Sequence, residues 1–306
     1  MNAASWADAF VPIFGLLALG ALLKRRLLPD DTVWAGIERL IFWVLLPCLI
    51  ASALGSVRFG ELPVGGMAAA VWTALALGTV AALALARLLG VGHAAMTSVL
   101  QGGIRFNTLM GFAIAGALWG APGLALAAVA SGLIVPFVQM VATVAFALGQ
   151  AGGRVRLLAL LRQVLLNPLI IGVAAGFAIG ALGGLPPGLQ PAVRSLGQAS
   201  VALGLLCIGA ALTVRGLGDR PGTQAATAVL KLLVLPMVTW GACTAVGLGA
   251  LPTAVLVTFM ALPTAPTSYV MARAMGGDAK LMAAITTSEH LASVLTLPVW
   301  VWVLTR

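Results

Sequence analysis

Charge is what this sequence has least of. Only 8% of its 306 residues are Asp, Glu, Lys or Arg, against 61% hydrophobic. A water-facing surface of ordinary chemistry, about a quarter charged, cannot be assembled from that composition. Long polar stretches are missing too. The longest polar connections are residues 149–156 (GQAGGRVR) and 214–222 (VRGLGDRPG), so no separate soluble domain is expected and function must lie among the apolar segments. The three cysteines, Cys48, Cys207 and Cys243, sit singly inside apolar runs with no CxxC or Cys/His spacing, which predicts packing residues and neither a disulfide framework nor a metal site. No Walker motif is present, so an ATP-driven pump is not expected, and no cofactor is called for. The 17 Lys and Arg residues give a formal charge of +9, yet they neither share one amphipathic face nor alternate with exposed aromatics, so nucleic acid is not the expected partner. No catalytic set stands out: His290 has no nucleophile motif beside it, and His93 lies at a loop.

What fills the chain is a recurrence of apolar runs about 20 residues long, the length that crosses a ~30 Å hydrocarbon core as a helix. Runs and turn signals predict helices near residues 8–24, 33–54, 64–87, 93–118, 122–149, 157–182, 190–214, 223–249, 251–275 and 280–304. The class is all-α membrane protein with ten transmembrane helices. The first run, Phe10 to Leu23, lacks a basic segment before it and is followed by Lys24-Arg25-Arg26, which reads as a retained helix and not a cleaved signal. Basic residues summed over alternate connections fall unevenly. One side collects Lys24, Arg25, Arg26, Arg87, Arg154, Arg156, Arg162, Arg215, Arg220, Lys231, Arg273 and Lys280, and the other only Arg58, Arg194 and Arg306, with Arg39 and Arg105 inside spans. Cytoplasmic connections carry the excess, so both termini are expected on the periplasmic or extracellular face of an inner (plasma) membrane.

The chain also repeats itself weakly. A shift of 157 residues lays Ala113 to Ala128 over Val270 to Ile285, matching Gly120 with Gly277 and Leu124 with Leu281, and a shift of 159 sets LLPCLIASAL beside GLLCIGAALT with Cys48 on Cys207. The predicted halves are residues 1–150 and 151–306, a first five-helix repeat and a second one inverted because five is odd, within a single membrane domain.

Spans four and nine are each interrupted near the middle, by GGIRFN at 102–107 and LPTAPTS at 262–268. Pro263 and Pro266 remove backbone donors, and Gly102 and Gly103 lower the cost of leaving a helix. Unwound backbone at that depth must face protein or a watery cavity, so two breaks at the repeat spacing predict one substrate site where the broken helices cross. Helix N-termini there suit an anion. The expected substrate-binding set is Gln101, Gly103, Arg105, Asn107, Thr108, Pro263, Thr264, Thr267 and Ser268, with Arg105 able to grip a carboxylate bidentately. Glu289 and His290, adjacent and deep in the tenth span, are read as carriers of a coupling proton or, for Glu289, as a fixed ion-pair partner of Arg105 or Arg273.

The ten-span plan, the segment GGIRFNTLMGF, and ALPTAPTSYVMARAMGGD followed by LASVLTLPVW resemble the auxin efflux carrier family of bacteria and plants, related in fold to the bile acid:sodium symporters. Arg105, Asn107, Pro263, Gly276, Gly277 and Asp278 fall where that family has its motif residues, whereas Glu289-His290 and Phe106 depart from its pattern. The resemblance implies a carrier of small organic anions, malonate or another dicarboxylate, working by an elevator-type movement. Its related sodium symporters use an acidic residue at the ninth-span crossing, and LPTAPTS has none, so sodium coupling is not favoured. Membrane lipid and a small organic anion are the expected partners, with a homodimer by analogy. A membrane sensor or channel and an intramembrane hydrolase are the competing readings.

Overall fold

The computed structural model describes residues 3–55, 57, 60, 62–149 and 157–305, and side chains there other than those of 3–8, 157, 159, 160 and 215. Four basic residues used above for sidedness, Arg58, Arg154, Arg156 and Arg306, lie outside the described residues. The fold is all-helical, 84% helix, with no strand among the described residues. The helices are α1 (Ala3–Arg26), α2 (Asp31–Leu40), α3 (Leu46–Leu54), α4 (Val64–Leu88), α5 (His93–Ile104), α6 (Thr108–Leu148), α7 (Leu157–Leu165), α8 (Pro168–Ala181), α9 (Leu189–Ala211), α10 (Pro221–Val229), α11 (Leu235–Ala245), α12 (Ala250–Ala261), α13 (Thr267–Met275) and α14 (Ala279–Leu304). Wide π-helical turns at Ile41–Leu45 and Leu230–Val234 join α2 to α3 and α10 to α11. Five helical stretches among the described residues are long and apolar enough to cross a membrane: Asp31–Leu54, Val64–Leu88, His93–Leu148, Leu189–Ala211 and Pro221–Ala245.

Beside a buried apolar core, large apolar side chains also cover the outside while two ionisable groups lie within. Leu295 is 75% exposed, Val80 65% and Val299 60%, while Lys231 and Glu289 are 0% exposed. Exposed apolar side chains along the helices suit a hydrocarbon surround, and ionisable groups at that depth are kept inside.

Local chemistry sets the helix boundaries. Asp30 caps α2 by accepting a hydrogen bond from the Thr32 backbone N–H, which holds its carboxyl below the usual range. Asn167 caps α8 in the same way through Leu169, and with Pro168 it divides the stretch read from sequence as one helix over 157–182 into α7 and α8. Gly120 takes φ 57°, ψ −141° and breaks the long α6 where the sequence predicts a turn between 118 and 122.

Contacts divide the chain into two compact units, each drawing on both halves of the sequence. The first comprises Met1–Val64, Thr108–Gly132 and Arg162–Ala211. In it α1 packs on α9, and α3 on α8 and α9. Backbones touch: a Cβ at Gly20 would overlap the Leu206 carbonyl, and one at Gly209 the Leu17 carbonyl. Small residues at helix crossings allow that approach in an apolar medium. The second unit comprises Gly65–Asn107, Leu133–Leu161 and Leu212–Arg306. Its centre is α14, packed against α5, α10, α12 and α13. Asp278 caps α14 and ion-pairs with Arg220 at 3.1 Å, while Lys280 lies 3.7 Å from Asp219.

Element bounds recur at one spacing. Adding 157 to α4, Val64–Leu88, gives the limits of the continuous helical stretch Pro221–Ala245, and adding it to α5, His93–Ile104, gives those of α12, Ala250–Ala261. Both α5 and α12 start after an extended glycine, Gly92 and Gly249, and both end in an extended residue, Arg105 and Leu262.

Candidate functional site

The two helix breaks meet within the second unit. At the first, α5 stops at Ile104 and Arg105 turns extended, at φ −76°, ψ 161°, its N–H still donating to the Gln101 carbonyl. Gly102 and Gly103 remain helical. Their missing side chains admit neighbours: a Cβ at Gly102 would come within 2.7 Å of Ile285 and Thr227, and one at Gly103 within 3.0 Å of Ala82. Gly103, expected to line the site, therefore contributes close packing. Asn107 is buried, and Thr108 opens α6 immediately after it, as the first residue of the other unit's share of that helix.

At the second break, α12 ends at Ala261 and α13 begins at Thr267. Pro263 and Pro266 have no N–H to give, and the Thr264 N–H, four residues beyond Met260, does not return to the Met260 carbonyl as helix continuation requires. It donates instead to Glu289 Oε2 at 2.8 Å. The Met260 carbonyl that it leaves is taken by the Lys231 ammonium, which donates at 3.0 Å. The Thr264 hydroxyl then joins the two breaks, facing the carbonyls of Gln101 at 3.0 Å and Arg105 at 3.2 Å. Pro263, Thr264 and Ser268 are buried, and Thr267 is exposed.

Lys231 corrects the sequence reading, which counted it among cytoplasmic connections. It sits in the π-helical turn Leu230–Val234, fully buried, so it leaves the sidedness count, which stands at eleven against three by sequence. It also feels the charge of Glu289. The signal for it was present: a lone lysine in an apolar run deserves the same suspicion as a lone glutamate.

Arg105 is half-buried, and among the described residues its guanidinium's partners are uncharged: Gln101 Oε1 at 3.4 Å, Met271 Sδ at 3.1 Å and Thr267 Oγ1 at 3.4 Å. Among the described residues neither Arg105 nor Arg273 forms an ion pair with Glu289, so the fixed pairing considered for that carboxylate is not the one found. His290 Nδ1 lies 2.7 Å from the Thr286 carbonyl and Nε2 lies 3.2 Å from Asn107 Nδ2. A carbonyl only accepts, so Nδ1 carries the proton, and Nε2 accepts from the Asn107 amide. Three buried polar atoms in this region have no hydrogen-bond partner among the described residues: Gln101 Nε2, Ser268 Oγ and Glu289 Oε1.

The breaks thus gather a guanidinium without a counter-anion among the described residues, the start of α13, and spare amide and hydroxyl donors in one unit. The grouping suits a small anion with two or more acceptor oxygens. Among curated proteins none matches the chain. The family described as membrane transport protein matches residues 153–301, which include the second break, Lys231, Glu289 and His290. That match covers just under half of the chain and is in keeping with the resemblance of its motifs to the auxin efflux carrier family.

Proposed function

We propose that this transporter carries small organic anions, carboxylates with malonate or another dicarboxylate foremost, by elevator-type alternating access at the crossing of its two broken helices. Arg105 is the observation that carries the reading. A guanidinium at mid-helix depth is costly, and here it stands half-buried with neutral contacts of 3.1 to 3.4 Å in place of a carboxylate. A bound carboxylate would supply the missing charge, accept two N–H bonds, and find Thr267, Ser268 and the Gln101 amide beside it.

The reading extends to topology. Ten spans in two inverted five-helix repeats, residues 1–150 and 151–306, with both termini periplasmic in an inner membrane, are supported by the 157-residue recurrence of helix bounds and by the basic excess on one side. A homodimer remains part of the proposal by analogy alone. The coupling proton is assigned to Glu289 and His290. Both ring nitrogens of His290 are engaged, which leaves Glu289, with Oε1 unpartnered, as the member with an open position.

The test is counterflow of labelled malonate in liposomes loaded with malonate, with and without a pH gradient, for the native chain, Arg105→Ala and Glu289→Gln. Saturable exchange that is lost in Arg105→Ala, while the variant still purifies as a folded protein, is the expected result. Unchanged exchange in Arg105→Ala overturns the site, and an unaltered pH dependence in Glu289→Gln removes the proton role. Two charge-assisted hydrogen bonds of about 1.5–3 kcal/mol each set the scale for Arg105 at roughly a hundredfold or more in apparent affinity.

A further inference from the structure

The second break leaves two backbone groups without their helical partners, and two buried ionisable side chains from different helices take them. The Met260 carbonyl is at the negative end of α12, and Lys231 donates to it at 3.0 Å. The Thr264 N–H points away from the helix, and Glu289 accepts it at 2.8 Å. Lys231 and Glu289 are both fully buried and interact electrostatically with each other. The same Thr264 whose N–H is held by Glu289 uses its hydroxyl to hold the first break, at the carbonyls of Gln101 and Arg105. The chain of contacts therefore runs from Lys231 and Glu289 through Thr264 to the backbone of Arg105.

We propose that Lys231 and Glu289 are a mutually dependent pair of positioning residues that hold the second helix open and, through Thr264, fix where Arg105 and the start of α13 face. Opposite charges suit the two tasks: an ammonium satisfies a carbonyl at a helix C-terminus, and a carboxylate satisfies an N–H. Each also offsets the burial cost of the other, so the couple carries no net charge into the interior. A lone proline break would relax toward whichever packing best hid its orphan groups. The couple specifies one geometry. Its consequence for transport rests on the reading of the crossing as the anion site, but the couple itself does not.

The test avoids dependence on any substrate. Native cysteines are replaced by alanine, and Thr267→Cys, at the exposed start of α13, is alkylated with N-ethylmaleimide in the Lys231→Met, Glu289→Gln and doubly substituted chains. Leu88→Cys, at the exposed end of α4, monitors global loosening. Each single substitution leaves one buried charge alone, whereas the double removes both and keeps an amide oxygen for the Thr264 N–H. The expected result is a change of about threefold or more in the Thr267→Cys rate in each single variant, with Leu88→Cys unaffected, and a return to within about twofold of the parent rate in the double. Failure of the singles to fold while the double folds supports the couple equally. A double variant as perturbed as the sum of the singles, a double that alone fails to fold, or a Thr267→Cys rate indifferent to both substitutions overturns it. Malonate binding to the same proteins is a separate readout: absence of binding in the parent chain counts against malonate as substrate and leaves the alkylation result to decide the couple.

Discussion

Thr264→Val is the substitution that most directly asks whether the two breaks are one structure. The change is close to isosteric. It removes one hydroxyl and leaves the Thr264 N–H free to donate to Glu289 as before. The lost group faces the carbonyls of Gln101 and Arg105 at 3.0 and 3.2 Å in a position 0% exposed to solvent. The Gln101 carbonyl keeps a second donor, the Arg105 N–H at 2.9 Å, so the loss falls mainly on the Arg105 carbonyl. A buried acceptor left unsatisfied costs about 1–3 kcal/mol. At roughly 2–4 °C per kcal/mol for a chain above 150 residues, the expected fall in Tm is on the order of 2–12 °C. Thermal unfolding of the purified protein in detergent measures it, with Thr264→Ser as the control that restores the hydroxyl. If the valine and serine variants melt together at the parent temperature, the hydroxyl is not bridging the breaks. In malonate counterflow the same variant is expected to raise KM more than it lowers the maximal rate, because the carbonyl that loses its partner belongs to Arg105.

Other changes probe the frame around the site. Gly209→Val pushes a branched side chain into the Leu17 backbone, where α1 and α9 touch. Backbone cannot yield as a side chain can, so a loss toward the upper end of about 1–3 kcal/mol, seen as a depressed Tm or failure to accumulate in the membrane, is expected. Trp300→Phe removes the indole N–H that donates at 2.7 Å to the Leu232 carbonyl, the group that Pro236, four residues on and lacking an N–H, cannot satisfy. About 1–3 kcal/mol should be lost, and Trp300→Phe in a Pro236→Ala background should lose less, since the restored N–H takes the carbonyl back. Asp30→Ala withdraws the cap of α2 and is expected to lower stability modestly. Because the Thr32 N–H holds the Asp30 carboxyl below its ordinary value, its contribution is present above the unfolded-state value near 4 and lost as pH falls through the lower folded-state value. Stability of the parent chain should therefore drop more steeply with acid than that of Asp30→Ala, by urea midpoints from neutral pH downward.

Much of this fold was open to a reading by hydropathy and turn residues alone, and the reasons are specific. Apolar runs must be helical in an apolar solvent, so their limits follow from where Gly, Pro and charge interrupt them. Pro263 and Pro266 delete two donors from one helix, and no neighbour can restore a donor that does not exist, so a break near 262–268 was legible. Gly102 and Gly103 lower the cost of leaving a helix, yet both remain helical, and the chain turns extended only at Arg105. A glycine marks close approach as readily as it marks unwinding, and only contacts with Ile285, Thr227 and Ala82 tell the two apart. Charge alone places Lys231 at a surface, whereas its apolar neighbours in sequence match the buried position it takes.

What sequence withholds is the identity of the replacement partners. A proline announces that a backbone group four residues earlier will need a new neighbour, but not which residue provides it. Met260 finds its donor 29 residues back in Lys231, Thr264 its acceptor 25 residues on in Glu289, and Leu232 its donor 68 residues on in Trp300. None of these separations has a local periodicity to betray it. Yet each partner is an oddity in its own helix: a lysine in an apolar turn, a fully buried glutamate, a tryptophan turned inward. Intramembrane polar residues and the proline breaks are then two halves of one accounting, with each costly side chain placed where a backbone group has been orphaned. On that argument Arg105 is the exception. Lys231, Glu289 and His290 are matched to acceptors or donors of the chain itself, whereas among the described residues the Arg105 guanidinium meets only neutral contacts, which is why the proposed anion is placed there.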